Sequence, residues 1–189
     1  MKRKKVVMII IGIMTVLIGI CLYSYSRSFQ ESYRLIKLVE CHGNAEVKRD
    51  GIGIIEAYKN MNLKNKDYVF VHEGATAVLQ LDNDKYVYVE PNTEFRIEAV
   101  GDENNSKTKI ILEKGGIISE IQESLEKDET YEVETPNSTM SVRGTVFRVN
   151  VYFTKTGESY TDVQVFDGKV GSKLIYPDGS ISKDEVLTS

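Results

Sequence analysis

The chain has 189 residues, of which 41% are hydrophobic and 28% charged, a composition typical of a folded protein with one core of about 150 residues and an appendage. The formal net charge is −4, but cations fill positions 2–5, so the remainder carries 20 Lys+Arg against 28 Asp+Glu, a net of −8. Such an acidic body argues against nucleic acid as a partner and does not favour adsorption to anionic lipid, because both need clustered cations.

Residues 6–23, VVMIIIGIMTVLIGICLY, contain no charged side chain. As a helix this segment would be about 27 Å long, close to the roughly 30 Å of hydrocarbon that a membrane span must cross. We therefore predict a transmembrane helix at 6–23 in contact with the lipid bilayer. Residues 1–5 form the predicted cytoplasmic tail, because short Lys/Arg-rich flanks stay inside. The predicted localisation is the plasma membrane, single-pass, with an extracytoplasmic C-terminal domain.

Two other interpretations of this segment remain open. A cleaved signal peptide has an apolar core of about 7–15 residues and small residues at its cut site, which Ser24-Tyr25-Ser26 matches only in part. A lipoprotein site at Cys21 would need a small residue where Ile20 stands. Anchorage fits the sequence better than either. Cys41 is then the single cysteine of the body, which predicts no disulfide there and a small buried apolar side chain.

Short strands broken by turns dominate the rest of the chain. Residues 24–35 are predicted to be a stalk, and residues 36–176 a β domain. Alternating apolar residues in Ala75–Leu81, followed by the β-rich run Lys85–Val89, predict a hairpin. Thr145–Phe153 alternates in the same way, with Phe147, Val149, Val151 and Phe153 on one face.

The C-terminal part predicts a further hairpin and a turn. Thr161–Phe166 and Lys169–Tyr176 flank Asp167-Gly168, a favoured hairpin turn pair. Residues 177–189 are predicted to hold a C-terminal turn and a last strand that is left incomplete after Leu187. The predicted fold class is therefore mainly β: an antiparallel β-sandwich or roll of about ten short strands, preceded by one transmembrane α-helix.

Candidate catalytic and metal-binding residues are few. Cys41 and His42 are adjacent, so on a strand their side chains face opposite sides and form no dyad. His72 is expected to be a solvated residue at a strand end. The acidic turn at 82–84 lacks the spacing of a calcium loop, and Gly115-Gly116 lacks the Lys-Ser/Thr of a phosphate loop. We predict no enzyme, no catalytic, cofactor-binding or metal residue, and no cofactor.

The densest stretch is ETPNSTMSVRGTVFRVNV, residues 134–151. Gly144 stands just before a strongly alternating strand, a position that suits a bulge or a close backbone approach. Arg143 has five donors and is expected to satisfy carbonyls that such a bulge leaves unpaired. Both residues are therefore predicted to be structural. A ligand-binding Arg143 is the alternative.

This stretch resembles the hallmark of the FecR protein domain: an extended segment, Thr-Pro, small residues, then Val-Arg-Gly-Thr and an aromatic. GNAEVKRDG, LEKGGI and VQVFDGKVG follow the family pattern in the same order, so that the likeness covers roughly residues 36–171. The resemblance implies a β-rich extracytoplasmic module without enzymatic residues. Founding members of the family relay a signal to a sigma factor through a cytoplasmic domain. The five residues before the predicted span are too few for such a domain, so direct sigma control is not expected.

Together these features predict a non-enzymatic, membrane-anchored module for binding or scaffolding at the cell envelope. Its expected partner is an envelope protein or a glycan of unknown identity, and not a nucleic acid. The alternative is a transmembrane signalling component related to sigma-factor regulators, which acts through a partner protein.

Overall fold

The computed structural model describes residues 14–20, 34–101 and 105–189. Residues 14–20 are helical, and no helix among the described residues is long and apolar enough to cross a membrane. The predicted tail at 1–5 lies outside the described residues, as do most of the predicted span at 6–23 and of the predicted stalk at 24–35. The chain divides into two compact units, Met1–Tyr33 and Arg34–Ser189, and the second carries all the strands described here.

The second unit is mainly β, as expected, but its described residues form fifteen strands rather than about ten. Several of the additional strands are only two to four residues long, too short to show a period of two in the sequence. The strands are β1 Ile36–His42, β2 Ala45–Arg49, β3 Gly53–Glu56, β4 Met61–Asn62, β5 Tyr68–Val71, β6 Thr76–Leu81, β7 Lys85–Val89, β8 Thr93–Val100, β9 Lys107–Ile121, β10 Thr130–Thr135, β11 Ser138–Val142, β12 Val146–Phe153, β13 Ser159–Asp167, β14 Lys169–Leu174 and β15 Glu185–Thr188.

Two sheets share the long strand β9. Sheet A has the order β4-β1-β6-β7-β9-β12-β13, and sheet B has the order β3-β2-β5-β8-β9-β10-β11-β14-β15. The first half of β9, up to Lys114, pairs in sheet B, and the second half, from Gly115, pairs in sheet A. All pairs are antiparallel except β9 with β10, which are parallel. One hydrogen-bonded ladder therefore runs through both sheets.

The change of sheet occurs at Gly115-Gly116. Gly115 has φ of +82°, and a Cβ there would lie 2.4 Å from Thr93 Oγ1 and 2.6 Å from Asn92 O. The buried Thr93 hydroxyl accepts a hydrogen bond from Gly116 N at 3.0 Å. Since an L side chain fits neither the backbone angle nor the space, Gly115 is required at the corner.

The two sheets enclose one hydrophobic cluster. Tyr131 of sheet B lies at 89° to Phe147 of sheet A with ring centroids 6.4 Å apart, an edge-to-face contact. The Tyr131 hydroxyl lies 2.8 Å from Ser119 Oγ, on the sheet A half of β9. Burial raises the pKa of Tyr131, so the neutral phenol spans the core with its one polar atom satisfied.

The predicted hairpins have different outcomes. β6 and β7 form the expected hairpin, from Ala77–Val89 to Leu81–Lys85. The hairpin around Asp167-Gly168 is wrong, because β13 pairs with β12 in sheet A, whereas β14 pairs with β11 and β15 in sheet B. At this favoured turn pair the chain instead passes from sheet A to sheet B. Residues 185–188 of the predicted C-terminal segment form β15 and pair with β14.

The β9 corner gives a test with a matched control. Gly115→Ala should lower the free energy of unfolding by about 3 kcal/mol or more, because it adds a clash with backbone atoms to the strain of positive φ. Gly157→Ala should cost only about 1–2 kcal/mol, since Gly157 has a similar φ of +87° but no atom within 4 Å of the added Cβ. Denaturant unfolding of both variants measures the difference; equal losses would show that the close packing at Gly115 is unimportant.

Candidate functional site

The Val-Arg-Gly-Thr motif forms another corner between the sheets. It connects β11 of sheet B to β12 of sheet A. Gly144 has φ of +77°, and a Cβ there would lie 3.1 Å from Ser124 Oγ and 3.2 Å from Ser124 Cα. The predicted close backbone approach at Gly144 is confirmed.

Thr145 fixes this corner to its neighbours. Its buried hydroxyl donates to Lys169 O at 3.0 Å, and its carbonyl accepts from Ile121 N at 3.1 Å. At Gly168, an added Cβ would lie 2.8 Å from Gly144 O and 2.9 Å from Thr145 Oγ1. The two corners thus pack directly against each other, so Gly144, Thr145 and Gly168 serve the fold.

Arg143 behaves differently from its neighbours. Its side chain is exposed and makes no hydrogen bond or ion pair with any residue that the structure describes. The prediction that its guanidinium satisfies backbone carbonyls at the corner is therefore wrong, because Ile121 N already serves the Thr145 carbonyl. A ligand-binding role, the alternative considered from the sequence, is consistent with this exposed position.

Arg143 lines an open depression of about 560 Å³ on the outer face of sheet B, here called the Arg143 groove. The pairing register explains why a groove exists. Glu132, Ser141, Gly171 and Val186 follow one another across β10, β11, β14 and β15. Ser141 and Gly171 are the two middle residues of this row, and their small side chains leave the sheet surface low. Gly171 approaches Ser141 so closely that an added Cβ would lie 3.3 Å from Ser141 Oγ.

Cations border the groove without partners. Lys127, Arg143 and Lys169 all line it, are exposed, and form no ion pair with the described residues. Arg143 and Lys169 flank the last register pair of β11 and β14, Val142–Val170, so they are cross-strand neighbours. Two like charges on opposite residues of neighbouring strands repel each other and lower the stability of the fold.

The acidic residues of the groove are already engaged. Glu132 lies 3.7 Å from Lys109 Nζ, and Asp184 lies 3.3 Å from Lys173 Nζ. Glu129 accepts hydrogen bonds from Ser106 Oγ and from Glu126 N. Burial alone would raise the pKa of Glu129, but these bonds together with the nearby cations Lys85 and Arg34 outweigh burial and lower the pKa. Lys127, Arg143 and Lys169 are thus left without an ion pair among the described residues, whereas Glu132 shares Lys109 with Glu134.

The other candidates from the sequence are not brought together. Cys41 is half-buried rather than buried; its Sγ lies 3.7 Å from Ala57 O, and burial raises the pKa of its thiol. His42 is exposed on the same strand, and His72 Nε2 lies 3.1 Å from Glu46 Oε2 at the surface. The described residues hold no cluster of three or more potential metal ligands.

The acidic turn between β6 and β7 has a structural role. Asp82 forms a salt bridge with Arg34, and Asp84 accepts from Lys85 Nζ at 2.7 Å. Lys85 itself is almost fully buried. These carboxylates neutralise internal cations, which agrees with the interpretation of this segment as a turn rather than an ion site.

Sequence reasoning missed Lys169, Ser141 and Gly171 as neighbours of Arg143. The expected hairpin placed β14 beside β13, on the wrong sheet, and so separated Lys169 from Arg143. The sequence did contain a signal for the groove: Ser141 in SVRG and Gly171 in KVGS are small residues, and small residues leave a gap on the face of a strand.

Two sheets joined by shared corners, with an open groove on one outer face, define a mainly β module. A family model described as FecR protein matches residues 67–171, more than half of the chain, and the protein belongs to this family. The match begins at Asp67 rather than near Ile36, and it ends at Gly171, as expected from the resemblance. No curated protein and no solved structure matches the chain. The family is associated with signalling in sigma-factor regulation, works through partner proteins and is not known as enzymatic.

The motif residues can be separated by stability. Arg143→Ala should change the free energy of unfolding by less than about 0.5 kcal/mol, because the side chain is exposed and unbonded. Gly144→Val should lower it by about 2–4 kcal/mol, because a β-branched residue at positive φ is strained and meets Ser124. Thermal and denaturant unfolding measure both; a large loss in Arg143→Ala would restore the structural role.

Proposed function

We propose that this protein is a membrane-anchored, extracytoplasmic FecR module that binds a partner protein through the Arg143 groove and catalyses no reaction. The apolar segment at 6–23 and the cations at 2–5 support the anchor and its orientation. Membership of a regulatory family that works through partner proteins supports a binding role over an enzymatic one.

One observation carries the binding site. Gly144 and Thr145 of the family motif hold the corner together, whereas Arg143 extends from it into solvent with no partner among the described residues. An exposed, unpaired arginine beside Lys169 adds repulsion and no stability to the fold. Its position in the groove is explained by a ligand that supplies the missing negative charge.

A signalling role is the second candidate. The association of the FecR family with sigma-factor regulation favours this role. Signalling would then follow the binding of a partner protein at the Arg143 groove. In that case the protein acts through another membrane protein, and the module senses or transmits the state of that partner.

The orientation is tested by cysteine labelling in whole spheroplasts. In a Cys21→Ser, Cys41→Ala background, Glu158→Cys in an exposed turn should react with a membrane-impermeant maleimide, and Lys4→Cys should react only after lysis. The opposite pattern, or reaction of neither residue before lysis, would contradict an extracytoplasmic body.

Partner binding is tested by affinity capture of the full chain from solubilised membranes. Arg143→Ala should reduce recovery of a captured protein at least about fivefold, and Lys155→Ala, an exposed and unpaired cation between β12 and β13, should not. Co-recovery of a sigma or anti-sigma factor only with the intact span would favour signalling. Equal recovery with both variants would show that the groove is not the binding site.

A further inference from the structure

We propose that the Arg143 groove binds an acidic, extended peptide segment, whose carboxylates contact a row of cations across the end of sheet B. This inference rests on the proposed function, because it names the chemistry of the partner that the groove accepts. It concerns which part of a partner is recognised and is tested separately from partner capture.

The row of cations follows from the register. Lys107 of β9 pairs with Thr130 of β10, and Thr130 precedes Tyr131, which pairs with Val142. Because Tyr131 and Val142 face the core, the residues next to them, Thr130 and Arg143, face outward. Lys169 continues the row on β14. The order across the sheet is therefore Lys107, Thr130, Arg143, Lys169.

These cations are available to a ligand. Lys107, Arg143 and Lys169 are exposed and make no ion pair with the described residues. Other cations of the same face are already used: Lys109 Nζ lies 3.0 Å from Glu134, and Lys173 lies 3.3 Å from Asp184. Three of the unpaired cations, Lys107, Arg143 and Lys169, therefore lie in one row across the strands, and we infer that this row sets the direction of the ligand.

The spacing suits an extended chain. Adjacent strands lie about 4.8 Å apart, so Lys107 and Arg143, two strands apart, are separated by roughly 10 Å at the backbone, with Lys169 one strand further. In an extended peptide, side chains on one face recur about every 6.8 Å. Long lysine and arginine side chains close the difference, so that two acidic residues at positions i and i+2 reach Lys107 and the Arg143–Lys169 pair.

The surroundings also fit a peptide. The depression that contains Arg143 adjoins a second one of about 290 Å³ that contains Lys107, and both are lined by Thr130 and Glu132. Val186 at one end is 65% exposed and Val100 at the other is 46% exposed, so apolar side chains of a ligand find partners there. The small residues Ser141 and Gly171 leave room for a side chain between them.

The charge of the whole body favours a short acidic segment over an anionic surface or polymer. A lipid surface or a long polyanion would bring the acidic body, at net −8, against many negative charges at once. A peptide of a few residues contacts only the local row. Arg143 supplies a planar fork that holds a carboxylate by two hydrogen bonds.

The test uses the full chain purified in a non-ionic detergent. The probe is a fluorescein-labelled eight-residue peptide that alternates Glu and Ser, and the control peptide has Gln in place of every Glu. Fluorescence anisotropy should show saturable binding of the Glu peptide only, weakened by added salt. Arg143→Gln and Lys169→Gln should each weaken it about tenfold, Arg143→Lys less, and Lys155→Gln not at all. Thermal unfolding should show no loss of stability in any variant relative to the parent.

Three results would overturn the proposal: equal binding of the Gln peptide, equal binding by Arg143→Gln, or no peptide binding together with binding to vesicles of phosphatidylglycerol. If Arg143 is needed for capture of a membrane protein and the Glu peptide does not bind, the proposed function stands and the acidic-segment chemistry is wrong. If Arg143 is needed for neither, both proposals are wrong.

Discussion

The fold depends on the passage of β9 from sheet B to sheet A. A single strand that supplies hydrogen bonds to β8 and β10 at one end and to β7 and β12 at the other makes the two sheets one ladder. Gly115 permits the turn, and the Gly116 N–H, which the corner removes from regular pairing, is bound by the Thr93 hydroxyl. Just outside, Arg148 donates to Glu90 at 2.6 and 2.7 Å, and this bidentate pair covers Gly116. A buried polar group left unpaired here would cost about 1–3 kcal/mol.

A glycine corner between the sheets also explains the Val-Arg-Gly-Thr motif. The chain crosses between the sheets again at Gly144 and at Gly168, and these corners pack on each other through Thr145. The residues that form this contact, Gly144, Thr145 and Gly168, are small and closely packed. Arg143 is the adjacent position that faces solvent, so a rigid corner fixes the point at which this exposed side chain leaves the backbone.

The sequence predicted those features that local chemistry decides. Alternation identified β6 and β12, a run of β-favouring residues identified β7, and the glycine at 144 was correctly assigned to a close approach. The errors have physical causes. Asp167-Gly168 satisfies the rules of a hairpin turn. The φ of +88° at Gly168, however, also allows the chain to leave one sheet and enter the other. Only long-range packing decides between these two outcomes. Phe153 continues the alternation of β12 and yet is 49% exposed, because the strand runs past the end of the core. The Arg143 groove could not be predicted from the sequence, because it depends on the register of β11 against β14.

We expect β9 to couple the two sheets into one cooperative unit. Native-state hydrogen exchange, followed amide by amide against denaturant, measures this coupling. Amides of Ile110 and Leu112, in the sheet B half, should converge with those of Ile117 and Ser119, in the sheet A half, on one free energy and one slope. Two separate transitions, with one sheet exchanging while the other remains protected, would show that the sheets unfold independently and that β9 does not couple them.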